Sequence, residues 1–332
     1  GDQFLSQSGI SRNSDQTFYF DARLDWKRSF GDHNLTAMAM YMMREYRSDV
    51  LPNRNQGYSG RVTYDYASKY LVEFNFGYNG SERLAAGQRF EFFPAVSAGW
   101  VASSEKFWEP ISKYINHFKI RGSYGLVGSD AFASGAPHFL YQNNIGIGSA
   151  HKFWTGLPTS EISKQGPGFY VLAVQDAGWE HVKKFDIGFD MMLFNQLNIT
   201  FDYFHDKRER ILMSRASWPS MLGYWGSKPW SNIGEVENQG FELSLNWTKQ
   251  FGKDLTLDLR GNFTYNQNEY KYVDEPSYPY VWQTNTGKPL NTVKGYIAEG
   301  LFASEEEIAN SPDQSQLGAN IMPGDIKYRD IN

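Results

Sequence analysis

Apolar and polar residues alternate with a period of two in six segments of the chain, each about ten residues long. The clearest segment, residues 255–266, has apolar positions at Leu255, Leu257, Leu259 and Phe263 and polar positions at Asp258, Arg260 and Asn262. Successive side chains of a β-strand point to opposite faces, so this period predicts strands with one apolar and one polar face. Soluble proteins commonly use strands of about five or six residues, whereas about ten tilted residues are needed to cross a bilayer. The pattern therefore favours a membrane-spanning β-barrel.

Five further clear segments and five weaker ones complete the predicted sheet. The clear ones are residues 18–27, 70–78, 118–126, 184–193 and 241–248, and the weaker ones are 34–43, 58–66, 89–101, 197–204 and 293–302. Together they make about eleven antiparallel strands. We expect the apolar face to meet lipid through Leu255, Leu257, Leu259, Phe263, Phe74 and Phe76, and the polar face to line a lumen through Asp258, Arg260 and Asn262.

Connections between the predicted strands alternate between short and long. The short ones are Gly31-Asp32, Ala67-Ser68-Lys69, Asn195-Gln196 and residues 250–253, and the long ones are residues 45–57, 79–88, 128–182, 205–237 and 266–292. Outer-membrane barrels have this arrangement, with the short turns in the periplasm and the long loops outside the cell. Residues 102–117 break the rule, and we expect Ser104 to cap a brief helical turn there.

An odd number of strands with two open edges is unsuited to lipid, because the edge N–H and C=O groups would be unpaired in hydrocarbon. The chain also begins at Gly1 without a signal peptide and ends at Asn332 without a closing strand. We therefore expect residues 1–332 to be a partial outer-membrane β-barrel domain. A complete barrel of eleven or twelve strands is the alternative.

Composition supports this interpretation and excludes several function classes. Aromatic residues make up 17% of the chain, as suits a barrel with aromatic girdles, and the net charge of -5 argues against a nucleic-acid partner. No apolar segment approaches the length of a transmembrane helix, and cysteine is absent, which excludes disulfides and thiolate metal sites.

Catalytic patterns are also missing, so we expect neither an enzyme nor a cofactor. The six histidines are dispersed, and no metalloprotease, nucleophile-elbow or phosphate-loop motif occurs. Ser304 and Glu307 fit a helix capping box, and Asp325 and Asp330 lack the further ligands that a calcium site needs, so no metal is expected.

Several motifs resemble the SusC/RagA family of TonB-dependent outer-membrane transporters. They are residues 51–64, 70–81, 89–101 and 118–128, then Trp179-Glu180, Asn232 to Glu242, Gly295 to Phe302 and Pro323 to Tyr328. Their order and spacing match across nearly the whole chain. The resemblance implies location in the outer membrane of a Gram-negative bacterium and a barrel of about 22 strands. It also implies an N-terminal plug, which is absent from this chain and through which TonB would act. A SusD-like surface lipoprotein would serve as a lid, and the resemblance allows a dimer of transporter–lid pairs.

Aromatic residues are concentrated in the predicted long loops. The candidates for contact with substrate or lid are Trp218, Tyr224, Trp225, Trp230, Arg215 and Lys228 in the loop 205–237 and Trp282 in the loop 266–292. The loop 266–292 also contains Tyr278 and Tyr280, and the loop 128–182 contains Trp154 and Trp179. Sugar C–H faces stack on flat rings while hydroxyls need polar partners, so glycans are the favoured cargo. Rings that pack within their loops or form an interfacial girdle are the alternative for each position. Oligopeptide import, or a non-transporting secreted β-protein or adhesin, remain the other functional hypotheses.

Overall fold

A computed structural model describes residues 14–48, 51–132, 135–155, 162–219, 221, 228–318 and 320–331; in 147–155 and most of 162–169 it describes only the backbone. Ten of the described strands form one antiparallel sheet in the order β1-β2-β3-β4-β5-β6-β9-β10-β11-β12, and β7 and β8 pair separately as a hairpin. The strands are β1 Gln16–Phe30, β2 His33–Arg47, β3 Asn53–Tyr66, β4 Tyr70–Ser81, β5 Phe90–Val101, β6 Ile115–Ser129, β7 Asn144–Thr155, β8 Ile162–Val171, β9 Glu180–Leu193, β10 Leu197–Ser214, β11 Trp230–Phe251 and β12 Leu255–Tyr272. The six clear segments of the sequence are all strands of this sheet.

Residues 291–332 form a separate small unit. It contains β13 (Ala298–Leu301), the short helix α1 (Glu305–Ala309) and β14 (Ile326–Tyr328), and β13 pairs with β14. The prediction of a barrel strand over 293–302 is wrong, since only four of those residues are extended and their partner lies outside the large sheet.

The predicted helix start at Ser304 is confirmed, but the capping box is shifted, because Glu307 reaches back to the N–H of Ala303 instead of that of Ser304. The Ser304 hydroxyl accepts the Glu307 N–H at 3.2 Å, and the Glu307 carboxylate accepts the Ala303 N–H at 2.8 Å. The Lys327 ammonium also binds Glu307 at 3.1 Å. These bonds from Ala303 and Lys327 hold the pKa of Glu307 below its ordinary value.

Short turns close one end of the large sheet, as predicted. Two of these turns contain a pair of consecutive residues in the left-handed region. The pairs are Ala67-Ser68, with φ of 53° and 56°, and Phe194-Asn195, with φ of 54° and 51°. Two such residues make the turn type whose twist matches a hairpin. We call this the turn end, and we call the opposite end, with connections 48–52, 82–89, 130–179 and 215–229, the loop end.

The connection at 102–114 folds back under the turn end. It consists of two 3-10 turns, Ala102–Ser104 and Lys106–Ile111, and neither has a side-chain cap, so the prediction that Ser104 caps a helix is wrong. Glu105 holds the segment in place instead, because its carboxylate accepts the Tyr70 hydroxyl at 2.8 Å and the Lys69 ammonium at 3.2 Å. Trp108 stacks on Phe118 with the ring centroids 5.3 Å apart.

The strands of the sheet generally have an apolar face and a polar face, except that β2 carries Met38, Met40 and Met42 on the face it shares with Arg61. On the apolar face, Phe118, Phe189, Phe201, Phe241 and Phe263 form an aromatic row across five neighbouring strands, with centroid separations of 5.9, 5.6, 6.1 and 5.7 Å. On the polar face, the Arg121 guanidinium pairs with Asp202 at 2.7 Å and with Asp190 at 3.3 Å. No helix among the described residues is long and apolar enough to span a membrane.

Strands β10, β11 and β12 extend further towards the loop end than the sequence predicts. The expected loops 205–237 and 266–292 shrink to 215–229 and a connection that starts after Tyr272. Opposite charges explain the extension, because Lys207 pairs with Glu235 at 3.4 Å and Lys271 with Glu237 at 3.1 Å across adjacent strands. Polar segments that read as loops are therefore paired strands.

Candidate functional site

Fully buried apolar side chains are concentrated at the loop end. One cluster contains Leu84, Phe93 and Trp179, and a second contains Leu140, Ala177 and Leu212. The Trp179 indole is 4% exposed and donates to the Arg89 carbonyl at 3.1 Å. These contacts pack the connection between β6 and β9 against the strands at the loop end.

A clamp centred on Asn232 fixes the C-terminal end of this connection. The Asn232 side chain donates to the carbonyls of Gly178 at 3.0 Å and Arg210 at 2.8 Å, and it accepts the Gly178 N–H at 3.0 Å. Arg210 lies in a bulge of β10 with a left-handed φ of 56°, which a non-glycine residue adopts only when its surroundings impose it. The buried Glu180 carboxylate completes the clamp by accepting the Leu212 N–H at 3.2 Å and pairing with Arg208.

The hairpin of β7 and β8 rises from a base that is also hydrogen-bonded. The Val174 N–H donates to the Leu140 carbonyl at 2.7 Å, and the Gln175 side chain donates to the Tyr141 carbonyl at 2.9 Å. The hairpin itself was not predicted from the sequence.

Arg215 joins two connections at the loop end. Its guanidinium lies 3.3 Å from the carboxylate of Asp274, which also accepts the Ser217 N–H at 3.0 Å and the Ser217 hydroxyl at 2.8 Å. Burial raises the pKa of Asp274, but the two bonds from Ser217 and the charge of Arg215 outweigh it and hold the pKa below its ordinary value. Arg215 therefore forms an ion pair with Asp274. Asp274 was not identified from the sequence.

The other candidates in the connection 215–229 have mixed positions. Trp230 opens β11 and packs against the cluster of Leu140, Ala177 and Leu212. Lys228 donates to the Ala216 carbonyl at 3.2 Å, and the backbone of Trp218 donates to the Arg215 carbonyl at 3.3 Å. Tyr224, Trp225 and the side chain of Trp154 lie outside the described residues. Contact of these side chains with substrate or lid stays a prediction.

Trp282 forms an exposed stacked pair with Tyr280. The two rings are 4.5 Å apart and tilted by only 10°, with the residues 43% and 37% exposed. Trp282 lies in a 3-10 turn, Val281–Gln283, and Tyr280 is the extended residue just before it, in the connection that follows β12. The structure thus brings together two of the aromatic residues that the sequence singled out, stacked face to face and each more than a third exposed.

Hydrogen bonds accepted by the Glu275 carboxylate help to fix the shape of this connection. The Glu275 side chain accepts the N–H groups of Asn285 at 2.9 Å and Thr286 at 3.1 Å. The Lys288 ammonium donates to the Trp282 carbonyl at 2.6 Å, and the Gly287 N–H donates to the Tyr270 carbonyl at 2.7 Å. The aromatic pair is therefore held on a closed loop, which reduces the entropy lost when a ligand binds.

The alternation predicted along β12 is present in the structure. Leu259 lies opposite Trp247 and Phe263 opposite Leu243, whereas Asp258 accepts the Thr248 hydroxyl at 2.6 Å and Asn262 accepts the Ser244 hydroxyl at 2.9 Å. Leu255 and Leu257 share the face of Leu259, Arg260 shares the face of Asp258, and Phe74 and Phe76 lie on the apolar face of β4, with their rings 6.2 Å apart. Which face meets lipid stays a prediction for these positions.

Comparison with known proteins decides the family. The family described as "TonB dependent receptor-like, beta-barrel" matches residues 1–313. The chain belongs to this family. It is part of an outer-membrane β-barrel of a Gram-negative bacterium, and the resemblance to the SusC/RagA type is confirmed.

Two relatives and one solved structure illustrate the similarity. The chain is 31% identical over 287 residues to TonB-dependent receptor P3 of Formosa agariphila, covering 82% of this chain and 27% of that protein. It is 26% identical over 239 residues to TonB-dependent receptor SusC of Bacteroides thetaiotaomicron, covering 68% and 22%. A structure of the RagAB peptide importer in the "open-open" state superimposes with a TM-score of 0.70 at 18% identity, covering 87% of this chain and 34% of the other. The chain thus spans about a quarter of the length of these curated relatives.

In this TonB-dependent receptor barrel, the motifs that carry the resemblance have identifiable structural roles. Trp179-Glu180 supplies a buried ring and a buried carboxylate, and Asn232 supplies the clamp. Gly240 lies where β12 approaches β11 closely, so that an added Cβ would overlap the Tyr265 carbonyl oxygen. Each of these residues has a defined packing or hydrogen-bonding role within the barrel.

Proposed function

We propose that the chain is the barrel part of a TonB-dependent importer that moves glycans across the outer membrane beneath a SusD-like lipoprotein lid. In this proposal the apolar face, with its aromatic row, meets lipid, and the polar face lines the lumen. TonB would act through a plug that lies outside this chain.

The observation that carries the glycan assignment is the Tyr280–Trp282 pair. Its rings are stacked, more than a third exposed and fixed on a hydrogen-bonded loop at the loop end. A flat aromatic surface matches the C–H face of a pyranose ring, and its edge leaves room for hydroxyl partners. Exposed apolar side chains that are grouped, as these two rings are, mark interaction sites more often than scattered ones do.

The test is substitution in the complete transporter, co-expressed with its lid. We expect Trp282→Ala and Tyr280→Ala each to weaken glycan binding by about 30-fold, since truncation of an anchoring ring costs about 2 kcal/mol or more. Tyr278→Ala is the matched control, because Tyr278 lies in the same connection, is 38% exposed and makes no ring contact with another described residue. Heat-modifiable migration of each variant would show that its barrel is folded.

Unchanged glycan affinity in both ring variants would contradict the assignment. Oligopeptide import is the second candidate, and the fold similarity to the RagAB peptide importer favours it. Uptake of labelled peptides that depends on Tyr280 and Trp282, without glycan binding, would establish it instead. Failure of the lid to copurify with the complete transporter would contradict the lipoprotein partner alone.

A further inference from the structure

A polar cavity of about 240 Å³ lies at the loop end of β2, β3 and β4. It is lined by Arg44, Asn53, Asn55, Ser81, Arg83 and Asp130, among others. It does not include Tyr280 or Trp282, and none of its residues was named from the sequence as a candidate binding residue.

Three of the lining residues form a straight row across three strands. Arg44 on β2 pairs in register with Asn55 on β3, and Asn55 pairs with Ser81 on β4. All three belong to the polar face, because their neighbours Met43, Gln56 and Gly80 have the opposite parity and share the face of Tyr41, Tyr58 and Tyr78. Adjacent strands are about 5 Å apart, so the row spans about 10 Å, roughly the size of one sugar ring with its substituents.

Two buried polar atoms at the cavity, the Ser81 hydroxyl oxygen and the Arg83 Nε, lack a hydrogen-bond partner in the part of the chain that the structure describes. Ser81 is 1% exposed, yet its hydroxyl has no hydrogen-bond partner among the described residues, and the same holds for the Nε of Arg83. Buried polar groups are almost always satisfied, so the unpaired Ser81 hydroxyl and Arg83 Nε beside a cavity call for a partner that a bound ligand would supply.

Positive charge dominates the cavity. Arg83 is held over the Phe132 ring at 4.6 Å and donates to the Asp130 carbonyl at 3.1 Å, and burial lowers its pKa while the charge of Asp130 opposes that effect. The Asp130 carboxylate is engaged by the Asn55 amide at 2.8 Å. Arg54 also lines the cavity, but its guanidinium is paired with Glu45 at 2.9 Å. Arg44 makes no ion pair with any described residue and lies over the Tyr46 ring at 5.8 Å. The guanidinium groups of Arg44 and Arg83 therefore line the cavity without a carboxylate partner of their own among the residues described, beside the Asp130 carboxylate.

We propose that this cavity binds an oxyanion substituent, either the carboxylate of a uronic acid or a sulfate ester, on the imported glycan. Guanidinium groups bind planar and tetrahedral oxyanions with paired hydrogen bonds, which suits both substituents. Ser81 and Asn55 supply neutral groups for the neighbouring hydroxyls. The inference rests on the proposed glycan import and adds a charge requirement to it.

The experiment measures binding of paired oligosaccharides to the complete transporter with its lid. The probes are a glucuronic-acid oligomer and its carboxyl-reduced form, and a sulfated galactan oligomer and its desulfated form, each pair matched in length. We expect the native protein to bind at least one anionic member at least tenfold more tightly than its neutral form, with the preference reduced by added salt.

Arg44→Gln is the decisive variant, because Arg44 is exposed and its loss leaves the packing of the loop end intact. We expect it to remove most of the preference for the anionic probe while leaving affinity for the neutral form unchanged. Ser81→Ala should weaken binding of both members of a pair by several-fold. Arg61→Gln is the matched control, since Arg61 is an exposed arginine on the same face of β3, further from the loop end.

The outcomes separate this inference from the proposed function. Tight glycan binding without discrimination between charged and neutral forms, or equal losses for both forms in Arg44→Gln, would overturn the oxyanion site and leave glycan import standing. No binding of any oligosaccharide, with Arg44-dependent binding of acidic peptides, would overturn both. If the carboxylate pair discriminates and the sulfate pair does not, or the reverse, the result identifies the substituent.

Discussion

Asn232 makes the clearest energetic prediction of the loop end. Its side chain makes three hydrogen bonds, two to Gly178 and one to Arg210, at 2.8 to 3.0 Å. A hydrogen bond contributes about 1 kcal/mol net, and a buried partner left without one costs at least as much. Asn232→Ala should therefore destabilise the clamp by about 3 kcal/mol, which corresponds to an increase of about 100-fold in local opening.

Native-state hydrogen exchange in the complete transporter measures this opening. We expect the amide of Gly178 to lose about two orders of magnitude of protection in the variant, because it donates directly to Asn232. The amide of Leu212, which donates to the neighbouring Glu180, should lose protection as well. The exchange protection of amides in the half of β11 nearer the turn end should not change.

Asn246→Ala provides the control, because Asn246 is an exposed asparagine on the same strand. If Gly178 and Leu212 kept their protection in Asn232→Ala, with the barrel folded, the clamp would be a coincidence of geometry rather than a source of stability. Equal effects of both substitutions would point to a general weakening of β11.

Three further predictions follow from other contacts. The lowered pKa of Asp274 means that its contact with Ser217 and Arg215 is fully present above about pH 4 and is lost as the pH falls through the lowered pKa; the Ser217 amide should lose exchange protection over that range in the native protein, whereas in Asp274→Asn it should exchange without this pH dependence. Gly240→Ala should destabilise the barrel by about 1–3 kcal/mol in urea unfolding, because its Cβ would overlap the Tyr265 carbonyl, and Gly261→Ala, which meets no described atom within 4 Å, should be neutral; equal stabilities would refute the close approach. Leu257→Arg should cost about 2–4 kcal/mol if the apolar face meets lipid, and Asp258→Ala little, so the reverse order would mean that the faces are assigned the wrong way round.

The regular part of the fold could be predicted because it depends on a local pattern. Residues 255–266 reveal their strand through strict alternation, since a side chain's face is set by its position along the strand. The tight turn at Ala67-Ser68 follows from the short gap between two alternating segments. The order of strands then follows from chain order, because nearly every strand pairs with its neighbours in sequence.

The upper parts of the strands could not be predicted in the same way. Residues such as Lys207 and Glu235 carry no apolar signal, and their strand conformation depends on partners that are far away in sequence. The hairpin of β7 and β8 lies in a glycine-containing segment with weak alternation. Local composition is uninformative where stability comes from cross-strand charge pairs.

The candidate site was only partly accessible from sequence for a related reason. Trp282 was identified by residue type, but its stacking on Tyr280 depends on the loop that Glu275 organises. Trp230 and Arg215 were chosen by the same criterion, and the structure adds contacts that the sequence did not predict, of Trp230 with the cluster that contains Leu140 and of Arg215 with Asp274. The row of Arg44, Asn55 and Ser81 arises only from strand register, which no single segment reveals.

The connection between β6 and β9 is pinned at its base and carries a hairpin beyond it. Leu140 with Val174, and Gly178 with Asn232, secure the two legs before the chain enters or after it leaves the hairpin. These hydrogen bonds all lie outside the hairpin itself. Insertions, deletions or exchanges within the hairpin would leave these bonds in place. The hairpin could therefore change shape without a change in how the barrel assembles. The length and composition of the hairpin are therefore separable from the hydrogen bonds that hold the connection on the sheet.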